Sequence, residues 1–459
     1  MMRLSEAARA VGGELRGEDR EFDAVRSDTR ELPPRALFVA LKGERFDGHD
    51  FLDRAAAAGA AAALVQDSGI GGSAAGKLLP LIVVEDTRLA LGALAAYWRD
   101  KFDIPLVAIT GSNGKTTVKE MLAAILREVH DGSRITDHGS RVLATTGNLN
   151  NDIGLPLTLL ELRPEHRYAV VEMGMNHAGE IRYLGKLARP DVALVTNAGM
   201  AHREFFDSEE AIARAKGEIF EALPPRGTAV INADDRHAPL WRGLASGRRI
   251  VEFGLEREAA VTARYALRFL DSEIVVKTPA GEATAVVQAP GEHNVRNVLA
   301  ASAAAHALAV PVAGIATGLS RFAGVKGRLQ RKTALRGATL IDDTYNANPD
   351  SARAAISVLA LAAGTKLLVL GDMGELGPDA AELHAGIGEA ARAAGVDRLY
   401  ALGELSRRAA RSFGEGARHF AQVDELAAAV EADLSPQATV LVKGSRFMKM
   451  ERVVDALCS

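Results

Sequence analysis

Cysteine is nearly missing from this sequence: of 459 residues only the next-to-last, Cys458, carries a thiol. An intrachain disulfide is therefore excluded, the usage fits a reducing compartment, and Cys458 reads as a solvated tail thiol. A continuous apolar leader is missing too. The opening stretch, MMRLSEAARAVGGELRGEDR, reads as a short amphipathic helix, so a cytoplasmic location is expected. Long hydrophobic runs are scarce. The most apolar long window, residues 298–319, contains His306 and Pro311 among alanines and glycines, which favours a packed helix over a membrane span. Nor is there an excess of positive charge: 55 Lys plus Arg stand against 59 acidic residues, a net charge of -4, which gives no electrostatic case for nucleic acid.

What is present is a globular composition, 48% hydrophobic and 25% charged. The length exceeds what one hydrophobic core supports, so two or three domains are expected. From residue 36 to 84 short apolar runs (ALFVALKG, AAALV, LLPLIVVED) alternate with Ala-rich helical stretches, as in a small α/β domain whose edge falls near residues 95–103. A run of βα units follows, with strands YAVVE, DVALVTN and TAVINAD, and this alternation implies a mainly parallel sheet. Between residues 261 and 287 strands alternate around a PAGE turn, which predicts antiparallel hairpins at the sheet edge. A third α/β unit starts after Gly327, with strands near ATLIDD, KLLVLGD, RLYALG and ATVLVKG. The expectation is an α/β protein of three domains, over residues 1–99, 100–325 and 326–459.

Residues 110–117, TGSNGKTT, carry the most specific chemistry. A buried strand enters Gly111-Ser112-Asn113-Gly114-Lys115-Thr116-Thr117, and the helix VKEMLAAILREV leaves it. Glycines let backbone N–H groups turn toward phosphates, and a helix N-terminus adds partial positive charge. Lys115 would neutralise the β and γ oxygens of ATP, and the Thr116 hydroxyl would hold Mg²⁺. The usual GxxxxGK[ST] pattern would put its first glycine where Ile109 stands, and a plain solvated turn remains the alternative. Kinases, GTPases and ligases share such loops; no NKxD follows a later strand, so a GTPase is disfavoured while a small-molecule kinase stays open.

Glu172 closes the strand YAVVE, the end at which such sheets bind ligands, and suits Mg²⁺ or a simple exposed strand end. His202 occupies the corresponding place after DVALVTN. Lys216, in SEEAIARAKGEIF, reads by spacing as an ordinary solvated helix residue. Asn294 and Asn297 share a helix face in GEHNVRN, where either also suits a cap. In LIDDTYNANPDS a strand ends in Asp342-Asp343 and turns through Tyr345-Asn346, a polar cluster of the kind that meets ribose hydroxyls or metal. GDMGELG lacks the dinucleotide spacing.

With these motifs in view, together with SDTRELPPRALFVALKGERFDGHDF, GNLNNDIGLPLTLLEL, EMGMNHAGEI, HNVRN, GRLQ and VKGSRFMKME, the chain resembles the Mur ligases over almost its full length. Loops of that family usually lack the glycine missing at Ile109. The resemblance implies an N-terminal UDP-sugar domain, a central ATPase-like domain and a C-terminal Rossmann-like domain that binds the incoming amine and closes on ATP. It implies, further, that Lys115, Thr116 and the loop contact phosphate and Mg²⁺, that Glu172 and His202 serve the metal, and that Lys216 is carbamylated into a Mg²⁺ ligand. Asn297, Arg328 and Asp343, with Asn294 nearby, match nucleotide contacts. Ser27, Asp28, Thr29, Arg30 and Lys42 match the UDP end, and Asn148, Asn151, Asp152, Tyr345 and Asn346 fall in substrate motifs.

GNLNNDIGLP, EMGMNHAGEI and DDTYNANPDS resemble the members that join D-Ala-D-Ala to a UDP-N-acetylmuramoyl-tripeptide, and the DNPR-type motif of the third-residue-adding sister is missing. That implies an ATP- and Mg²⁺-dependent ligase acting as a monomer, with no nucleic-acid partner. The loop AHREFFDS departs from the HLEGFGS-like run usual in the family. Another amide ligase of the family, folate-polyglutamylating enzymes included, and a non-catalytic nucleotide-binding protein are the rival readings.

Overall fold

Strands such as LVAIT, VALV and TAVIN are buried along their whole length, the mark of parallel strands covered on both faces. The computed structural model describes residues 1–44, 46–67, 79–129, 141–199 and 206–458. They fall into two compact units, one drawn from 1–108, 136–175 and 179–191, the other from 109–135, 176–178 and 192–459.

In the first unit a five-stranded sheet runs in the order Glu14–Arg16, Leu81–Val84, Ala62–Gln66, Ala36–Val39, Ala24–Arg26. Only the first pairing is antiparallel. Helix Thr87–Arg99 starts where Asp86 accepts the N–H groups of Arg88 and Leu89, at 2.7 and 2.9 Å. Its last residue, Arg99, is buried and donates to the carbonyls of Phe102, Ile104 and Ala188, at 2.5, 3.1 and 3.2 Å. That guanidinium satisfies three backbone acceptors and so sets the entry into the strand that begins at Leu106. Strands Val142–Ala144 and Tyr168–Glu172 pair in parallel, Val142 opposite Tyr168.

In the second unit Val192–Val195, Thr228–Asn232 and Arg249–Phe253 are parallel neighbours, and Thr196 N donates to Thr110 O at the end of the loop-bearing strand. Strands Thr262–Leu267, Ser272–Thr278 and Gly281–Val287 are the expected antiparallel hairpins, with Thr278 opposite Gly281 at the turn. They form a sheet of their own rather than extending the parallel one. Buried residues alternate with more exposed ones along Ser272–Thr278 and over most of Gly281–Val287, and such strands have one wet face that does not fit a sheet covered on both sides.

The last six strands run Gln330–Thr333, Thr339–Asp343, Ala438–Lys443, Thr365–Gly371, Arg398–Leu402, Ala417–Phe420. All are parallel except the first. The strand formed last in sequence thus lies between two early ones, and the carboxyl ends at Asp343, Lys443 and Gly371 share one rim, where sheets of this kind hold ligands.

Candidate functional site

The phosphate loop follows a strand without exposed residues and turns at two glycines that other residues could not replace. Gly111 has φ +150°, and a Cβ there would lie 1.8 Å from Thr196 Oγ1. Gly114, at φ +85°, precedes helix Lys115–Arg127, and its Cβ would lie 2.3 Å from Asn297 Oδ1. No acidic residue stands in that helix's first turn, so its N-terminal N–H groups and dipole are left for an anion. Lys115 Nζ donates to Gly111 O at 2.6 Å, which holds the ammonium over the loop. Ser112 Oγ accepts from Gly199 N at 2.9 Å.

Lys216 corrects the reading by spacing: it is not solvated but 1% exposed, in helix Glu209–Gly217 capped by Ser208. Burial first, then the charge of Lys115, pushes its amine well below the ordinary lysine range. Among the described residues no carboxylate pairs with it.

Asn294 and Asn297 are both buried, and neither caps the helix: the residue preceding it is Gly291, with no side-chain cap. Asn297 Nδ2 donates to Asn294 Oδ1 at 3.0 Å, and Asn294 Nδ2 to Pro290 O at 2.8 Å. Arg328 donates to Thr116 Oγ1 at 2.8 Å and lies over the Tyr345 ring at 4.4 Å. The two acids of DDTYNANPDS separate in role. Asp342 accepts from Thr344 and pairs with Lys332 at 2.9 Å. Asp343 meets Lys443 Nζ at 2.5 Å and accepts Leu329 N at 3.1 Å; burial raises its pKa while Lys443 opposes the rise. Lys443 also donates to Asn346 O at 3.0 Å. The second unit therefore brings together the loop, Lys216, Asn297, Arg328, Asp343, Tyr345 and Asn346.

In the first unit Glu172 is buried at its strand end, its N–H donating to Thr145 Oγ1 at 2.9 Å. Asn151 Oδ1 accepts from Ile153 N and Gly154 N, at 3.2 and 2.8 Å, just before helix Gly154–Leu159, and Asp152 pairs with Arg88 at 2.7 Å. Asn148 accepts Asn150 N on its carbonyl. Asp28 caps the turn Thr29–Glu31 and is held down to about 2 by Arg30, side chain before backbone. Ser27 adjoins that turn, and Lys42 Nζ lies 4.0 Å from Asp47. His202 lies outside the described residues, as do residues 201–205 of the departing loop. Among the described residues no cluster of three or more His, Cys, Asp or Glu is gathered for a metal. The Thr116 hydroxyl beside the loop is an oxygen of the kind Mg²⁺ takes, whereas a lysine amine is not, so Lys216 would serve the ion only after conversion to a carbamate.

Sequence reasoning missed Asn348, Lys443, Thr196 and Asn197, which hold the loops in place. Asn-Pro at a helix start was a readable signal for Asn348; the other three have only tertiary partners.

A glycine loop, a helix N-terminus and a lysine over them define a phosphate-loop nucleotide-binding α/β protein. The family models for the Mur ligase family catalytic domain, the Mur ligase middle domain and the Mur ligase glutamate ligase domain match residues 21–99, 109–305 and 327–446. The chain is 43% identical to the UDP-N-acetylmuramoyl-tripeptide--D-alanyl-D-alanine ligase of Escherichia coli (strain K12), across 99% of this chain and 98% of that protein. A structure of MurF from Acinetobacter baumannii aligns at TM-score 0.89 and 36% identity, covering 98% of this chain and 97% of that one. MurF from Thermotoga maritima, in complex with ADP, aligns at TM-score 0.81 and 28% identity, covering 94% and 96%. The chain belongs to the Mur ligase family.

Proposed function

We propose that this protein joins D-alanyl-D-alanine to a UDP-N-acetylmuramoyl-tripeptide at the expense of ATP, giving the pentapeptide precursor of peptidoglycan. The observation that carries the reading is the phosphate loop, with Lys115 over it and Lys216 buried in the same unit, supported by full-length relatives that bear this activity in their names. Three domains, over residues 1–99, 100–325 and 326–459, divide the work between UDP-sugar, ATP and incoming dipeptide, and the family-model matches lie inside those bounds. The protein acts in the cytoplasm as a monomer; no helix of the described residues is long and apolar enough to cross a membrane.

The tripeptide's terminal carboxylate takes the γ-phosphoryl group and ADP leaves. The dipeptide amine then attacks the acyl carbon, phosphate departs, and the amine's proton is lost. Two anions must meet in the first step, so the chain's own work is charge stabilisation and positioning. Lys115 and the helix N-terminus neutralise phosphate oxygens, with residues 111–114 and Thr117 shaping the cradle. Asn294, Asn297, Arg328 and Asp343 orient the nucleotide. Ser27, Asp28, Thr29, Arg30 and Lys42 hold the UDP end; Asn148, Asn151, Asp152, Tyr345 and Asn346 serve the peptide. Thr116, Glu172, His202 and a carbamylated Lys216 are the residues that would hold Mg²⁺, which would supply charge neutralisation for the phosphates.

ADP formation measured with D-Ala-D-Ala, diaminopimelate, Lys or Glu as acceptor, each with its matching UDP-sugar or folate, tests the reading. Turnover is expected with D-Ala-D-Ala alone; preferential turnover with another acceptor would reassign the enzyme within the family.

A further inference from the structure

Helix Pro349–Ala360 begins with a reciprocal cap. Ser351 N donates to Asn348 Oδ1 at 2.9 Å, and Asn348 N donates to Ser351 Oγ at 3.0 Å. The cap fixes which way the Asn348 amide faces: its oxygen is engaged by the helix, so its nitrogen is turned away from it. That nitrogen donates to Asn113 Oδ1, in the phosphate loop, at 2.8 Å. The bond is therefore directional, and Asn113 must present its oxygen.

Asn113 is immobilised through its main chain as well. Its N–H donates to Asn197 Oδ1 at 3.0 Å, and its carbonyl accepts from Thr196 Oγ1 at 2.6 Å and Asn197 Nδ2 at 3.2 Å. Thr196 and Asn197 hold the loop from the sheet side, while Asn348 holds it through the side chain from the last α/β segment. The same segment runs back through Asn346 O and Asp343 to Lys443, so the donor stands on a braced stretch of chain.

We propose that Asn348 is a positioning residue for ligation: through Asn113 it keeps the phosphate loop in the shape that phosphoryl transfer requires, while the segment 343–348 is seated against the loop. Asn348 touches neither the reacting atoms nor the phosphates in this role; it acts through Asn113. The inference rests on the ligase reading above.

Serine separates the two functions of the side chain, since it caps a helix as well as asparagine but lacks the amide that reaches Asn113. Asn348→Ser keeps the cap and is expected to lower the thermal midpoint less than Asn348→Ala, which loses both the cap and the bond to Asn113. At saturating ATP, kcat of Asn348→Ser should fall about five- to tenfold, the size of one neutral hydrogen bond. A double-mutant cycle makes the test independent of the cap. Asn113→Ala should reduce kcat in the wild-type background and add almost nothing in Asn348→Ser. A wild-type kcat in Asn348→Ser, or losses that multiply in the double variant, would overturn the proposal. A wild-type protein that forms no ADP with any acceptor would defeat the ligase reading instead; the same cycle, read by ADP titration, then decides the contact, with non-additive losses of affinity supporting it and additive ones sinking it.

Discussion

Lys443 and Asp343 face each other across neighbouring parallel strands, and neither makes sense without the other. An aspartate buried this far would rather be neutral, and Lys443 is the charge that opposes the shift. Removing the lysine leaves an uncompensated buried carboxylate, so Lys443→Met should destabilise the protein by about 3–5 kcal/mol at neutral pH. The pH sign follows from the raised native pKa. Between the ordinary carboxylate value and the raised one the native state binds more protons than the unfolded state, so stability falls as pH rises through that window. Lys443→Met widens the window upward. Urea unfolding at several pH values should therefore show the variant's deficit shrinking on acidification; a deficit constant with pH would mean that the pair is not what was lost. Asp343 was legible in the sequence because two acids close an apolar run, but Lys443 was not, since its partner is 100 residues away. Lys216 was harder still: nothing in EEAIARAKG marks one lysine as buried, and only the family resemblance singled it out.

At the scale of elements, local pattern was a good guide to strands and helices and a poor one to their neighbours. The hairpins around PAGE were readable from alternation, yet which sheet they join depends on partners that alternation does not name. Close helix packing is equally silent in sequence. Gly388, inside helix Ala380–Ala393, would with an added Cβ come within 2.0 Å of Ala409 O in helix Ser406–Phe413. Gly388→Ala removes a helix-weakening residue, which alone favours stability by up to about 1 kcal/mol. The clash is with backbone, which cannot swing aside, so overpacking of about 1–3 kcal/mol should win. A lower guanidinium midpoint with an unchanged slope would show it; a raised midpoint would mean that the two helices part easily.

For the whole molecule, three α/β segments are what composition and motif predict, and the chain's own contacts gather into two units that it enters repeatedly. Parallel pairing favours such re-entry, because each parallel pair needs a crossover of a dozen or more residues that carries the chain away from the sheet and back. Ligand linkage acts at this same scale. ADP at about a hundred times its Kd should raise unfolding stability by about 2.7 kcal/mol, seen as an upward shift in the thermal midpoint. Lys115→Ala should lose most of that shift while keeping the midpoint of the free protein, since Lys115 lies in the loop and not in the core. An undiminished shift in the variant would move the nucleotide away from residues 111–117.

The burial of Lys216 has one more consequence. The unprotonated amine is the form that adds carbon dioxide, with a new N–C bond made and a proton released to solvent, and burial with the Lys115 charge shifts Lys216 toward that form. If that adduct completes the site, as proposed, the fraction of competent molecules tracks dissolved carbon dioxide. Enzyme kept in degassed buffer should then start slowly and recover when bicarbonate is supplied, which would tie the pace of wall building to the carbon dioxide a cell retains.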